Sequence, residues 1–335
     1  MFLMRQSNLE DLEQILAVAE YLDTVNLPAQ REPIQAILEL SEASFAAQVP
    51  VAEREYLFVL EDLATHRVIG TSMVHAQHGT KRAPHIFFRV EPEERYSYTL
   101  DRLFVHQTLR IGYNYNGPTE IGGLILLPEY RGNPSALGRF LSYARFLFIA
   151  MHRPLFREVV VSELLPPLEA DGTSLLWEHV GKLFTGLTYQ EADRISKHNK
   201  EFITALFPDD PIHTALLPEA VRDIIGRVGT ETLGVEKMLK RVGFRYANQI
   251  DPFDGGPHYV ASTDEISIVR DSRTRRLAIA EGEASSWGIA AHQASPFRAI
   301  CGPMGVDGEA LVLSAAQATT LGVGAGQQVW TVFAG

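Results

Sequence analysis

EIGGLILLPEYRGNPSALGRFLSYARFLFIAM, residues 120–151, is the stretch from which the fold is read. Its first part, Ile121-Gly122-Gly123-Leu124-Ile125-Leu126-Leu127, is a short continuous apolar run, as expected of a strand buried on both faces. Pro128-Glu129-Tyr130-Arg131-Gly132-Asn133-Pro134 then carries turn chemistry, since proline ends a ladder while glycine and asparagine tolerate positive φ. Leu137, Phe140, Leu141, Ala144, Leu147, Phe148 and Met151 recur at three- and four-residue steps, the apolar stripe of an amphipathic helix. A strand, a glycine-bearing turn and a helix aim a row of backbone N–H groups at whatever lies above the turn. Orphan donors and the helix dipole both favour an anion there, a phosphate or pyrophosphate above all. The turn is neither a P-loop nor a dinucleotide fingerprint, because no Lys-Ser/Thr pair follows and no G-x-G-x-x-G opens the helix. A plain strand-to-helix connection without a ligand fits the same residues.

Upstream, residues 2–5 suit a first strand, and Ser7 three residues before Glu10 reads as a capping box opening a helix through Leu9, Leu12, Leu16 and Ala19. A second helix through Ile34, Ile37 and Leu38 follows the Asn26-Leu27-Pro28 break. Residues 56–60 and 68–74 are two strands joined by a polar turn. Residues 79–110 give no decisive pattern, with 84–90 and 102–105 readable as strands or as an excursion. Downstream, Val159-Val160-Val161-Ser162-Glu163-Leu164-Leu165 is another buried strand, ended by Pro166-Pro167. Helices are expected over 174–184, 199–206 and 218–228. Residues 235–244 predict a helix closed by Gly243 in the left-handed conformation, with Phe244 starting a strand. Residues 266–279 and 299–333 look strand-like, and Gly322-Val323-Gly324-Ala325-Gly326 is a tight turn. The expected architecture is a mixed α/β sheet flanked by helices over residues 1–265, with a small β module over 266–335.

Length and composition bound the function. A chain of 335 residues with 46% hydrophobic and 21% charged content holds enough apolar material for more than one packed unit. The net charge of −11 argues against a nucleic-acid partner. A polyanionic ligand therefore needs local cations, and Arg131, Arg139 and Arg145 stand in the right stretch. The single cysteine, Cys301, excludes a disulfide framework. The first residues show no signal-peptide pattern and no run approaches the length of a membrane span, so a soluble cytoplasmic protein without a membrane partner is expected. His75 and His78 are too few for a metal site, and no metal is expected.

Arg131 and Gly138, with about two extra residues between them, resemble the Arg-x-x-Gly-x-Gly/Ala turn of the GNAT acyl-CoA N-acyltransferases. In that superfamily the preceding strand donates N–H groups to pantetheine and the turn wraps the coenzyme A pyrophosphate. The resemblance narrows at Asp251-Pro252-Phe253-Asp254-Gly255-Gly256-Pro257, which is similar to the Asp-Ile-Phe-Asp-Gly-Gly-Pro box of the arginine N-succinyltransferases. Ser41-Glu42-Ala43-Ser44-Phe45-Ala46-Ala47, Phe58-Val59-Leu60-Glu61-Asp62, Trp177 with Gly181 and Phe184, and Phe297-Arg298-Ala299 agree with it. The resemblance implies a GNAT-like fold and a cytoplasmic enzyme of arginine catabolism that takes succinyl-CoA as cosubstrate, with no permanently bound cofactor. It also implies a basic amino acid as acceptor, and a homo-oligomer or a hetero-oligomer with a paralogous subunit.

It places coenzyme contacts at Leu124, Leu126, Arg131, Gly132 and Gly138. Glu163 matches a family carboxylate that orders the amine, relays its proton, or serves only as a structural acid. The family's proton-donating histidine falls on Gly229 in Gly226-Arg227-Val228-Gly229-Thr230, where no side chain exists to carry a proton. The family's Thr-Ser-Leu-Pro loop becomes Val25-Asn26-Leu27-Pro28. His213 is the nearest substitute in the sequence, though a histidine beside Pro211 and Ile212 equally reads as structural. Three functions stay open: an active N-succinyltransferase, a weak or silent subunit of a hetero-oligomer, and an acyltransferase with a changed acceptor.

Overall fold

The computed structural model describes residues 1–21, 27–81, 83–196, 199–280, 286–292 and 294–333. Val25 and Asn26 of the expected acceptor loop lie outside them. The chain forms two compact units: Met1–Gln77, Thr119–Glu158 and Ser262–Gly335 make the first, His78–Pro118 and Val159–Ala261 the second. In chain order the strands are β1 (Phe2–Gln6), β2 (Glu55–Asp62), β3 (Arg67–His75), β4 (His85–Ser97) and β5 (Arg102–Asn114). They continue with β6 (Thr119–Leu126), β7 (Val159–Glu163), β8 (Ile212–His213), β9 (Arg245–Ile250) and β10 (Pro257–Ser262). The last are β11 (Arg273–Ile279), β12 (Ser286–His292), β13 (Arg298–Asp307), β14 (Ala310–Leu313) and β15 (Gln328–Phe333). No described helix is long and apolar enough to cross a membrane.

In the first unit β1, β2, β3 and β6 pair as neighbours, antiparallel throughout. Helices α1 (Leu12–Tyr21) and α2 (Arg31–Phe45) fill the link between β1 and β2. Their buried Ile15, Val18, Ile34 and Leu38 pack with Leu57, Val59, Met73 and Ile125 of the strands. The first turn is capped one residue later than the Ser7–Glu10 spacing suggests. Asn8 accepts from the Glu10 amide and Asp11 returns to the Asn8 amide, while Ser7 is buried with its hydroxyl 3.3 Å from that of Ser41.

Helix α3 (Leu137–Met151) departs from the amphipathic expectation, because eleven of its fifteen residues are buried. Phe148 meets Phe45, Tyr56 and Phe58 edge-on or tilted, and also meets Phe297 from the C-terminal part of the chain. A second layer covers the rest of the helix, where Arg139, outside that stripe, lies against Trp287. Each such large apolar side chain taken out of water contributes about 1.5–3 kcal/mol.

Strands β11–β15 supply that layer. Their pairings close on themselves in the order β12, β15, β11, β14, β13 and back to β12, leaving this small barrel no free edge, and β13 joins β1 at Met4 and Arg5. Two stretches expected as strand are helical, Ser267–Asp271 and Ala315–Leu321. The second is fixed by a capping box between Ser314 and Gln317 and stopped by left-handed Gly322.

The second unit runs β7, β10, β9, β4, β5, β8. Residues 79–110, undecided in the sequence, are largely a thirteen-pair antiparallel hairpin of β4 and β5. Its inner half is buried and its outer half exposed. Trp177 stacks flat on Phe253 at 5.0 Å, and both sit in one core with Phe88, Leu109, Ile203 and Val221. The helix expected over 174–184 breaks at Val180 into Leu175–His179 and Gly181–Thr185. Gly243, at φ +112°, ends the helix Leu233–Arg241, and the Phe244 amide reaches back to the Leu239 carbonyl, as the Gly-Phe step predicts.

Candidate active site

The first unit holds the expected coenzyme residues together. Opposite β3, the register of β6 slips: Thr71 faces Ile125 but Met73 faces Gly122, so Gly123 and Leu124 stand against Ser72 alone. That is a bulge, and Gly123 takes φ +55° to make it; a Cβ there would lie 2.7 Å from Met73 Cγ and Sδ. The Thr71 hydroxyl donates to the Gly123 carbonyl at 2.9 Å, leaving the backbone around half-buried Leu124 out of the regular ladder. Leu126 ends the strand. Arg131 follows a short Pro128–Tyr130 turn; its Nε donates to the Leu126 carbonyl at 3.2 Å and its guanidinium lies over Tyr21. Gly132 is exposed at φ +70°. A Cβ placed on Gly138 would meet only Leu126, at 3.8 Å from its Cδ2, so the start of α3 is open there. Ala136, left-handed at φ +55°, precedes α3 and gives it no side-chain cap, so the first amides of a fifteen-residue helix lack an internal acceptor.

Two of the three arginines expected to offer positive charge are engaged elsewhere. Arg145 is 1% exposed; it donates to the Ser142 carbonyl and to the Gly122 carbonyl of β6, and burial lowers it to about 9. It braces strand to helix and is closed off from solvent, so it does not supply the local positive charge expected of this stretch. Arg139 lies 3.9 Å from the ring centre of Trp287, whose indole N–H donates to the Ser135 carbonyl at 3.2 Å. The barrel therefore grips the turn that leads into α3.

The second unit builds a different site around Glu163, the last residue of β7. His85 Nε2 lies 3.2 Å, His258 Nε2 3.5 Å and His78 Nε2 3.7 Å from the same atom, Glu163 Oε1. His85 opens β4, His258 follows Pro257 at the start of β10, and His78 lies just before the hairpin. His85 and His258 are 3% and 0% exposed, whereas His78 and Glu163 reach solvent at 22% and 27%. Burial pushes the Glu163 carboxyl up, but the three imidazoles outweigh it and hold the group well below the usual carboxylate range. Sequence spacing puts neither His85 nor Glu163 beside His78, but the fold brings side-chain nitrogen and oxygen atoms of the three within 4.8 Å of one another.

Asp251 and Asp254, from the Asp-Pro-Phe-Asp-Gly-Gly-Pro box, complete the acidic surroundings. Asp251 Oδ1 accepts from the Phe253 and Asp254 amides, and Asp254 Oδ1 accepts from the Gly256 amide at 2.7 Å. The box is thus a self-bonded turn that sets His258 in place. Burial, then repulsion from Glu163, raises Asp251 from 3.8 to about 7. The folded carboxyl consequently keeps a proton that the unfolded chain has already released, and stability falls as pH rises from about 4 to 7. Asp251→Asn keeps the accepting oxygen and removes the titration. It is expected to stabilise the protein by up to ~4 kcal/mol at pH 8, three pKa units at 1.36 kcal/mol each, and by nothing at pH 4. Thermal melts at the two pH values check this, and equal shifts at both would refute it.

His213 stands elsewhere, on β8 opposite Thr108, half exposed and 3.6 Å from Glu93. It is not among the imidazoles on Glu163. Gly229 packs beside Leu165 and Pro166, just past Glu163. Its amide donates to the Leu165 carbonyl at 2.8 Å, and a Cβ would stand 2.6 Å from the Pro166 carbonyl oxygen. The sequence reading gives no site role to His85, His258 or Asp251. For two of them a signal exists, since Asp251 opens the box and His258 directly follows it.

The sequence matches the family described as arginine N-succinyltransferase beta subunit over residues 2–268, and the C-terminal domain of that subunit over 273–333. It is 33% identical to an arginine N-succinyltransferase of Yersinia enterocolitica over 98% of this chain and 96% of that one. One from Photorhabdus laumondii is 31% identical over 98% and 97%. The solved structure of the arginine/ornithine succinyltransferase subunit AI of Pseudomonas aeruginosa superposes with a TM-score of 0.87 at 30% identity, covering 100% of this chain and 99% of that one.

Proposed function

Because the chain belongs to the arginine N-succinyltransferase family, we propose that this acyltransferase moves the succinyl group of succinyl-CoA directly onto the α-amine of arginine or ornithine. The reaction needs a neutral amine, a polarised thioester carbonyl and a proton for the leaving thiolate. One observation carries the coenzyme part of the reading: the bulge at Gly123–Leu124 followed by the uncapped start of α3. Backbone amides freed from a ladder are suited to pantetheine and to the thioester oxygen, and uncapped helix amides to a pyrophosphate. Leu124 acts through its main chain, so its side chain is free to pack. Glu163, partly exposed and negatively charged, suits the α-ammonium of the acceptor.

One observation favours a second reading, a companion subunit without chemistry of its own: Gly229 stands where the family carries its histidine. A single assay decides. The purified chain is given succinyl-CoA and a panel of basic amino acids, and free thiol is followed with time. Release with any acceptor excludes the companion role. Tight coenzyme binding without release by the chain alone would overturn the enzyme.

A further inference from the structure

Turning an ammonium into a secondary amide removes two protons from one nitrogen. The first leaves R–NH3⁺ with its bonding pair kept on nitrogen, giving the free amine. The amine's lone pair then forms the C–N bond as the C–S bond breaks, its electrons leaving on sulfur, and the second proton comes off the nitrogen. Of the two protons, the thiolate takes one and water the other. A lone carboxylate holds one proton and holds it weakly, and Gly229 can hold none.

We infer that Glu163, His78, His85 and His258 act as one proton-accepting site for the acceptor amine, Glu163 and His78 meeting the ammonium and the buried His85 and His258 storing the protons behind them. The inference rests on the acyltransferase reading above and adds to it where the protons go. Three imidazole nitrogens from three separate segments converge at 3.2–3.7 Å on a single carboxylate oxygen. Imidazole is the side chain that ordinarily changes charge between pH 5 and 8. The exposure gradient gives the direction, since the two groups that reach solvent lie on one carboxylate with the two fully enclosed rings. His85 and His258 stack at 5.2 Å, and His78 meets His85 edge-on at 4.6 Å, so each ring has a neighbour within the set. Among the described residues, the charged groups that act on the site include Asp251 and Asp254 from the β9–β10 turn, with Lys200 acting on Asp251 and Asp193 on Asp254.

The experiment has two arms. In the first, the imidazole carbon-bound protons of the coenzyme-free protein are titrated by NMR, which needs no turnover. Wild type should show coupled, multi-step titration of the three histidines, collapsing to independent single steps in Glu163→Gln. In the second, kcat/KM is followed against pH with succinyl-CoA and arginine. His85→Gln and His258→Gln should each flatten the acidic limb by about one order of magnitude per pH unit and leave the KM for succinyl-CoA within twofold. His78→Gln, at the partly exposed position, serves if a buried variant does not fold.

Histidines that titrate independently in wild type, unaltered by Glu163→Gln, would overturn the proposal. So would one equivalent of transition metal in the purified protein whose removal abolishes activity. Ligand atoms around a tetrahedral ion at 2.0–2.1 Å stand roughly 3.3 Å apart, so the same spacing would then be a coordination shell. A protein that releases no thiol but titrates as described fails the acyltransferase reading alone.

Discussion

Glu163→Gln is expected to lower kcat/KM for amine acylation by ~10²–10⁴-fold, the range a positioned acid–base group contributes, while the affinity for succinyl-CoA stays the same. The substitution is nearly isosteric and leaves an oxygen and an amide where the carboxylate stood. What it removes is the charge on which His258, His85 and His78 converge. The native carboxyl lies well below its ordinary range, so its contribution is present at neutral pH and lost only as pH falls through the folded value. At pH 7 the glutamine variant lacks both the proposed anchor for the ammonium and the charge on which the rings converge. The proposed coenzyme residues, Leu124 to Gly138, belong to the other unit. Thiol-release kinetics measure the first quantity and calorimetric titration with succinyl-CoA the second. A variant within threefold of wild type in kcat/KM would remove Glu163 from the mechanism.

How the residues of this site are distributed along the chain explains which parts are legible in the sequence. The β6–turn–α3 stretch is local, so a run of apolar residues, a glycine turn and a stripe of period 3.6 report it directly. The Gly243–Phe244 stop is local for the same reason. The Glu163 site draws on residues 78, 85, 163 and 258, and no spacing rule joins positions that only strand pairing brings together. The hairpin of β4 and β5 is hidden because its outer half carries exposed Tyr96, Leu103 and Val105, which break the alternation expected of a half-buried strand. The burial of α3 beyond its stripe is invisible for a related reason: Trp287, which covers Arg139, follows the helix by more than a hundred residues. The short helix Ala315–Leu321 carries mostly alanine and threonine without an apolar stripe, and only the Ser314–Gln317 capping pair announces it.

Placing a histidine at position 229 should damage the protein and raise no activity. A Cβ built on Gly229 lies 2.6 Å from the Pro166 carbonyl oxygen, 2.9 Å from its carbon and 3.1 Å from the Leu165 oxygen. These are main-chain atoms, which cannot swing aside as the end of a flexible side chain does. The Leu165 carbonyl is further fixed by the Gly229 amide and by the Thr232 hydroxyl at 3.0 Å. Any side chain at 229 must push the 165–166 backbone away, and that segment follows directly on Glu163. Overpacking of this kind typically costs about 1–3 kcal/mol, and imidazole adds bulk beyond the first carbon. Gly229→His should therefore melt several degrees lower, and kcat should fall as Glu163 is displaced from its three imidazoles. Gly229→Ala carries the same Cβ and should show most of the loss in melting temperature. Two measurements decide it, a thermal melt and thiol release on each variant. A histidine variant as stable as wild type and faster in turnover would show that position 229 was open all along and that a missing proton donor limited the enzyme.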